Sequence, residues 1–223
     1  MVSHELKTPV TSIKGFVQLV LSLLQEDKYI LLTSMPLKNS LERIDTQVGR
    51  LSRLISEMLD LSRLEDSKLI FQNNIFNLNE IVDETIQDIK HSRIGQRISI
   101  EHNFRCNINA DKDRIGQVLI NLVTNSIKYS SNDQPVEVKI DKGENNCVLV
   151  SVKDHGIGIA ENDLDKIFNR FYRVTGENED TYSGFGIGLF LSNEIIKRHQ
   201  GSISVKSKIG EGSLFTFSLP YNV

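Results

Sequence analysis

The chain has 223 residues, 39% hydrophobic and 25% charged, a globular balance that excludes a disordered, collagen-like or disulfide-stapled protein. A formal charge of −3 gives no general attraction to nucleic acid or anionic lipid, though a nucleotide can still be held by a few local groups. No apolar run is long enough to span a bilayer, and Glu5, Lys7 and Lys14 break any signal-peptide pattern, so the chain as given is expected to be soluble and intracellular.

Residues 3–25 set Leu6, Val10, Ile13, Val17, Val20, Leu21 and Leu24 at helical spacing, and the stretch from Asp27 to Pro36 interrupts it. Over 37–66, Leu41, Ile44, Val48, Leu51, Ile55 and Met58 recur in alternating steps of three and four, a heptad seam with polar residues between. A lone hairpin has too little core to bury two such stripes. The pattern therefore predicts two hairpins pairing as a homodimeric four-helix bundle, with a hairpin packed on the rest of its own chain as the alternative. Residues 67–78 change character around Phe71, Ile75 and Phe76, marking a linker or short strand and a domain boundary between 67 and 68.

Beyond that boundary a helix is predicted over 79–92 with Asn79 as its cap, then a strand over 97–104. Asp111 caps a longer helix to about 130. Strands follow at 136–140 and 148–153, across the turn Gly143-Glu144-Asn145-Asn146. Residues 161–173 read as helix, 174–185 as a polar mobile loop and 186–199 as helix; 202–207 and 213–219 read as final strands. Cys106 and Cys147 match no metal-ligand spacing and read as reduced thiols at buried or half-buried strand positions. The fold class is α+β: a helical hairpin over 1–67, then an α/β sandwich over 68–223 with a mixed or antiparallel sheet and helices on one face.

Three segments carry chemistry. Asn121 and Asn125 share a helical face, with Lys128 one turn on; amide oxygens can ligate a hard cation and an ammonium can meet phosphate. Taken alone, the segment reads as a solvated polar face on an amphipathic helix. Asp154, at a strand end before Gly156 and Gly158, can accept from an exocyclic amine while the glycines admit a flat ring; alone, it is also a simple turn. Gly184, Gly186 and Gly188 precede a helix, where bare N–H groups and the helix dipole favour an anion. A dinucleotide fingerprint belongs near the start of a βαβ unit, and a P-loop needs Gly-Lys-Ser/Thr, so neither applies.

Together, Asn121–Tyr129, Asp154–Ile159 and Gly184–Leu189 resemble the N box and two G boxes of the ATP-binding domain shared by histidine kinases, type II topoisomerases, Hsp90-type chaperones and mismatch-repair ATPases. Ile167-Phe168-Asn169-Arg170-Phe171-Tyr172-Arg173 is similar to the histidine kinase F box, and the run Ser3 to Ile13 resembles the H box of the phospho-acceptor domain. The resemblance implies His4 as the phospho-acceptor, Glu5 as its acid–base partner and Thr8 as a residue that positions water during dephosphorylation. It implies ATP bound against Asp154, Gly156 and Gly158, with Mg²⁺ on Asn125 and Asn121. Lys128, Tyr129, Arg173 and the Gly184–Gly188 loop would meet the phosphates. It further implies phosphotransfer to an aspartate of a response regulator receiver domain, and a cytoplasmic core tied to the inner membrane only through an upstream sensor region. Pro9 is expected to kink the first helix, or else to mark its start. The chain opens three residues before His4, which reads as a fragment with a frayed first turn. His155, where the family often has Asn or Thr, reads as a neutral substitution; Phe185, in place of a small residue, stiffens or covers the loop. Two alternatives stay open: a clamp ATPase without histidine phosphorylation, and a non-catalytic ATP-binding module.

Overall fold

The computed structural model describes residues 2–25, 35–65, 70–91, 98–130, 134–174 and 185–221. Met1–Lys68 form one compact unit, and Leu69–Tyr182 with Gly186–Val223 a second. In the first, α1 (Val2–Gln25) packs against α2 (Met35–Glu65). Pro9 lies inside α1, not at its start, so its missing N–H falls where a helical bond to residue 5 would form. The heptad seam of α2 divides between two surroundings. Ile44, Leu51 and Met58 are half-buried within the hairpin, whereas Leu41, Val48 and Ile55 are exposed. None of the described helices is long and apolar enough to cross a membrane.

The second unit is built on a five-stranded sheet in the order β2-β4-β5-β7-β6. These strands are β2 (Ile98–His102), β4 (Val136–Lys142), β5 (Cys147–Lys153), β6 (Ser202–Lys208) and β7 (Gly212–Pro220). Only β2 and β4 run parallel; the other pairs are antiparallel. Alternation turns Val136, Val138, Ile140, Val148, Val150, Val152, Phe215, Phe217 and Leu219 inward, and all are buried. Covering them are α3 (Leu78–His91), α4 (Lys112–Tyr129) and α6 (Gly188–Arg198), through Ile81, Val82 and Ile86, Ile115 and Leu122, and Ile195 and Ile196. Full burial of each such side chain is worth about 1.5–3 kcal/mol. The outer face of the sheet is polar and carries the pairs Glu101–Lys139 at 2.7 Å and Glu137–Lys153 at 3.5 Å.

Several local expectations change. Residues 74–77 form β1 (Asn74–Asn77), paired antiparallel with β3 (Asn107–Ala110), a strand the pattern did not announce. Helix α3 starts at Leu78, and Asn77, not Asn79, supplies the terminal oxygen, accepting from the Asn79 N–H at 2.9 Å. Asn79 instead donates from its side chain to His102 and to the Phe104 carbonyl. The segment 161–173 is helical only over α5 (Glu161–Leu164) and then turns; Phe171 adopts φ of 62°, which no helix continues through. Helix α6 begins at Gly188, two residues later than expected. Cys106 precedes β3 and Cys147 opens β5; both are free and half-buried, and burial pushes the Cys106 thiol up to about 11.

Candidate functional site

Helix α4 is fixed at its start before it presents anything. Asp111 Oδ1 caps it through the Arg114 N–H at 3.2 Å, and Oδ2 accepts from the Gln72 N–H at 2.9 Å. The Asp111 N–H donates to His199 Nε2 at 3.0 Å, so Nδ1 carries the hydrogen and donates to the Ile195 carbonyl at 2.8 Å. That buried ring ties the start of α4 to the end of α6. Further along, Asn121 Nδ2 donates to Ser192 Oγ on α6 at 2.9 Å, and Asn125 Nδ2 donates to Asn121 Oδ1 at 3.2 Å. Gly188 leaves room for that amide: a Cβ there would lie 2.5 Å from Asn121 Oδ1, and the Asn121 side chain would have to shift. The Asn face of α4 thus packs on the first turn of α6, and the Asn125 carbonyl is the amide oxygen not used within the pair. Lys128 Nζ lies 4.8 Å from the centroid of the Tyr129 ring.

Asp154 extends the inward alternation of β5 and is buried. Its Oδ1 accepts from the Gly156 N–H at 2.9 Å and the Ser213 N–H at 3.1 Å. Burial raises its carboxyl above the usual carboxylate range, against the lowering effect of those two N–H groups. Gly156 then meets the end of α4. A Cβ there would sit 2.1 Å from the Tyr129 carbonyl oxygen, and that same oxygen accepts from the Ile157 N–H at 3.2 Å. The absent side chain is therefore demanded first by the α4 backbone, before any ring is considered. Gly158 has φ of 71° and lies against the Lys208 carbonyl. His155 turns the other way, to the outer face, where Nε2 is 3.0 Å from Glu137 Oε1. That hydrogen bond, with the nearby Lys153 ammonium, holds Glu137 below the usual carboxylate range.

Gly186, with φ of 69°, sits against the Tyr172 carbonyl, and its own carbonyl accepts from the Phe171 N–H at 3.0 Å. Tyr172 Oη donates to Asp163 Oδ1 at 2.6 Å, which raises the phenol above its ordinary value and anchors the segment that carries Arg173. Arg173 is half-buried. Gly184 and most of the expected loop lie outside the described residues, as do the side chains of His4 and Glu5 in the first turns of α1. Thr8 is exposed on α1. Within the second unit the fold thus brings Asn121, Asn125 and Gly188 together, and Asp154, Gly156 and Tyr129 together, with α4 common to both groups. Sequence reasoning missed Ser192, His199 and Ser213. Each makes its contact to a residue 71, 88 or 59 positions away, so no local motif announces it.

Residues 110–223 match the family described as histidine kinase-, DNA gyrase B- and HSP90-like ATPase. Residues 1–67 match the His Kinase A (phospho-acceptor) domain. The chain belongs to the sensor histidine kinases, as a catalytic core. Sensor protein SrrB of Staphylococcus aureus is 31% identical across 98% of this histidine kinase chain, which spans only 37% of that relative's length. The solved structure of the Acinetobacter baumannii histidine kinase AdeS matches with a TM-score of 0.69 and 25% identity, over 99% of this chain and 98% of that one. Histidine kinase ThkA, solved in complex with response regulator protein TrrA, matches with a TM-score of 0.63 and 26% identity, over 99% of this chain and 60% of that one. Membership brings ATP binding with it.

Proposed function

We propose that this core binds ATP with Mg²⁺ in its second unit, phosphorylates His4 and passes the phosphoryl group to an aspartate of a response regulator. The observation that carries the reading is the packing of the Asn121–Asn125 face on the glycine start of α6, in a chain whose first 67 residues match a phospho-acceptor domain. Glycine N–H groups at the α6 N-terminus and the Lys128 ammonium favour a polyphosphate, with Tyr129 and Arg173 beside them. Asp154, with both backbone donors on Oδ1, offers Oδ2 to an exocyclic amine.

The donor set fits a divalent cation of one kind only. Among the described residues no three His, Cys, Asp or Glu side chains cluster to hold a metal. An amide oxygen from Asn125, steadied by Asn121, suits a magnesium ion that takes its remaining ligands from phosphates and water. Such an ion supplies charge neutralisation on the phosphates. In the reaction itself, an imidazole nitrogen of His4 forms the N–P bond as the γ-phosphorus leaves its bridging oxygen on ADP, and Glu5 takes the proton from the other ring nitrogen. Thr8 would orient water for the reverse loss of phosphate. Exposed Leu41, Val48 and Ile55 on α2, with Val10, Val17 and Leu21 on α1, support a homodimeric bundle. The ThkA complex supports a response regulator as the partner.

The test is incubation with Mg²⁺ and ATP radiolabelled on its γ-phosphate, comparing the native chain with His4→Ala. Acid-labile, alkali-stable label on the native chain, absent from His4→Ala, is the expected result. Equal labelling of the two chains would overturn the assignment of His4.

A further inference from the structure

Helix α4 opens on a backbone donor that its own first turn does not satisfy. The N–H of an N-cap residue is ordinarily met by a Glu or Gln three positions on, reaching back to it. Here that position is Arg114, whose guanidinium only donates, and its Nη1 gives a proton to Gln117 Oε1 at 2.8 Å. The Asp111 N–H instead finds its acceptor 88 positions away, in His199 Nε2 at 3.0 Å. Both residues are buried.

Neither helix needs the imidazole for an ordinary cap. Asp111 Oδ1 already caps α4 through the Arg114 N–H. Backbone N–H groups of His199 and Gly201 already close α6 on the Ile195 and Ile196 carbonyls. What the ring adds is a crossing between the helices. Its Nδ1–H is fixed to the Ile195 carbonyl at 2.8 Å, and the Phe71 ring meets it edge-on, 5.0 Å between centroids.

The two helices are joined a second time where Asn121 Nδ2 donates to Ser192 Oγ at 2.9 Å. The joins lie about 10 Å apart along α6, from Ser192 to His199, and about 15 Å apart along α4, from Asp111 to Asn121. A single join lets α6 swing about it, because apolar burial between helices is non-directional. Two joins fix the angle. Gly188 lies about 6 Å beyond Ser192, so a swing of roughly ten degrees moves the start of α6 by about 1 Å. A shift of that size unmakes a hydrogen bond.

We propose that His199 is a positioning residue of the nucleotide site, holding α4 and α6 at the angle where Asn125 and the glycine start of α6 face the same phosphates. This rests on the nucleotide reading above. The ring acts through the Asp111 backbone, and the property it must supply is an acceptor at Nε2.

The experiment titrates the full chain with ATP in Mg²⁺ and follows thermal unfolding without nucleotide. The variants are His199→Gln, His199→Leu, Arg114→Glu, His199→Leu combined with Arg114→Glu, and Asn125→Ala. Glutamine keeps an acceptor within reach, so His199→Gln should bind ATP within about twofold of the native chain. His199→Leu should unfold at a lower temperature and weaken ATP about tenfold, the worth of one hydrogen bond. The combined variant separates support from positioning, because a Glu three positions into α4 meets the Asp111 N–H locally. Its unfolding temperature should return towards that of Arg114→Glu, while ATP stays about tenfold weaker. If the combined variant binds ATP as Arg114→Glu does, the ring merely satisfies a helix end and the positioning role is overturned. Should His199→Leu fail to fold, the combined variant carries the same comparison. A folded His199→Gln chain that loses about tenfold in affinity would also overturn the role, since the acceptor would not be what positions the site. If Asn125→Ala binds ATP as the native chain does, the nucleotide reading itself is overturned.

Discussion

The helical hairpin and the α/β unit treat apolar residues in opposite ways. In the α/β unit the apolar faces end against one another: Val138, Ile140, Val150 and Val152 from the sheet meet Ile115, Leu119 and Leu122 from α4, all fully buried. In the hairpin, Val10, Val17, Leu21, Leu41, Val48 and Ile55 obey the same helical spacing and stay exposed, Val48 at 46%. Periodicity states which residues share a face and leaves open what covers it. The α/β unit supplies its own cover, whereas the hairpin needs a second surface, and a second hairpin is the simplest one.

The largest expected effect falls in the α/β unit. Gly156→Ala drives a methyl group against the Tyr129 carbonyl, where only backbone movement can relieve the clash. It should cost about 3 kcal/mol of that unit's stability and abolish ATP binding, while light scattering still reports the native association state. Loss of association in this variant would break the comparison, because the self-contained unit would then govern the hairpin. Val48→Glu is the converse probe. A charge on the exposed seam should turn dimer into monomer and remove label from His4, yet leave thermal unfolding of the α/β unit within about 0.5 kcal/mol. A Val48→Glu chain that remains dimeric would mean that the exposed half of the seam is not the contact.

Much of this division was legible in the residues. The two helices of the hairpin, all five strands of the large sheet and the Asp111 cap rest on local patterns, and the fold keeps them. Residues 161–173 misled because their apolar spacing suits a helix. The chain leaves that course where Tyr172 reaches back to Asp163 and Phe171 takes a left-handed conformation, a tertiary bond that no window of sequence contains. Strand β3 is four residues with two asparagines, too short and too polar to register. In the candidate site, the shared face of Asn121 and Asn125 was readable from their spacing of four, and the turn after Asp154 from its glycines. The reason for Gly156 was not, since the group it must clear is a carbonyl brought in from α4.

Asp154→Asn sharpens the comparison by setting stability against binding inside one unit. Burial raises the folded carboxyl above its unfolded value, so the folded state holds that proton more tightly. The charge therefore opposes folding in full above the folded value, and the penalty vanishes as pH falls below the unfolded one. Asparagine keeps an oxygen for the Gly156 and Ser213 N–H groups. The variant should unfold at a higher temperature than the native chain at neutral pH, with the gain disappearing into the acid range, and should lose ATP. A stabilisation that persists unchanged at acid pH would remove the carboxylate's charge as its cause.

The smallest effect is expected one residue later. His155 sits beside Asp154 in sequence, but strand alternation sends it to the outer face, 3.0 Å from Glu137, with Lys153 3.5 Å from the same oxygen. Partly exposed pairs of this kind are worth about 0.5 kcal/mol or less. Because Glu137 is held below its unfolded value, whatever it contributes is present above that value and is lost as pH falls through the folded one. His155→Ala should thus cost little at neutral pH and nothing in acid, and ATP affinity should not change. The adjacent pair is the strictest form of the comparison, since Asp154→Asn and His155→Ala alter neighbouring side chains on opposite faces of one sheet. A fall of about tenfold in ATP affinity on His155→Ala would put the nucleotide in reach of the outer face, and the assignment of Asp154 as the base-selecting carboxylate would then have to give way.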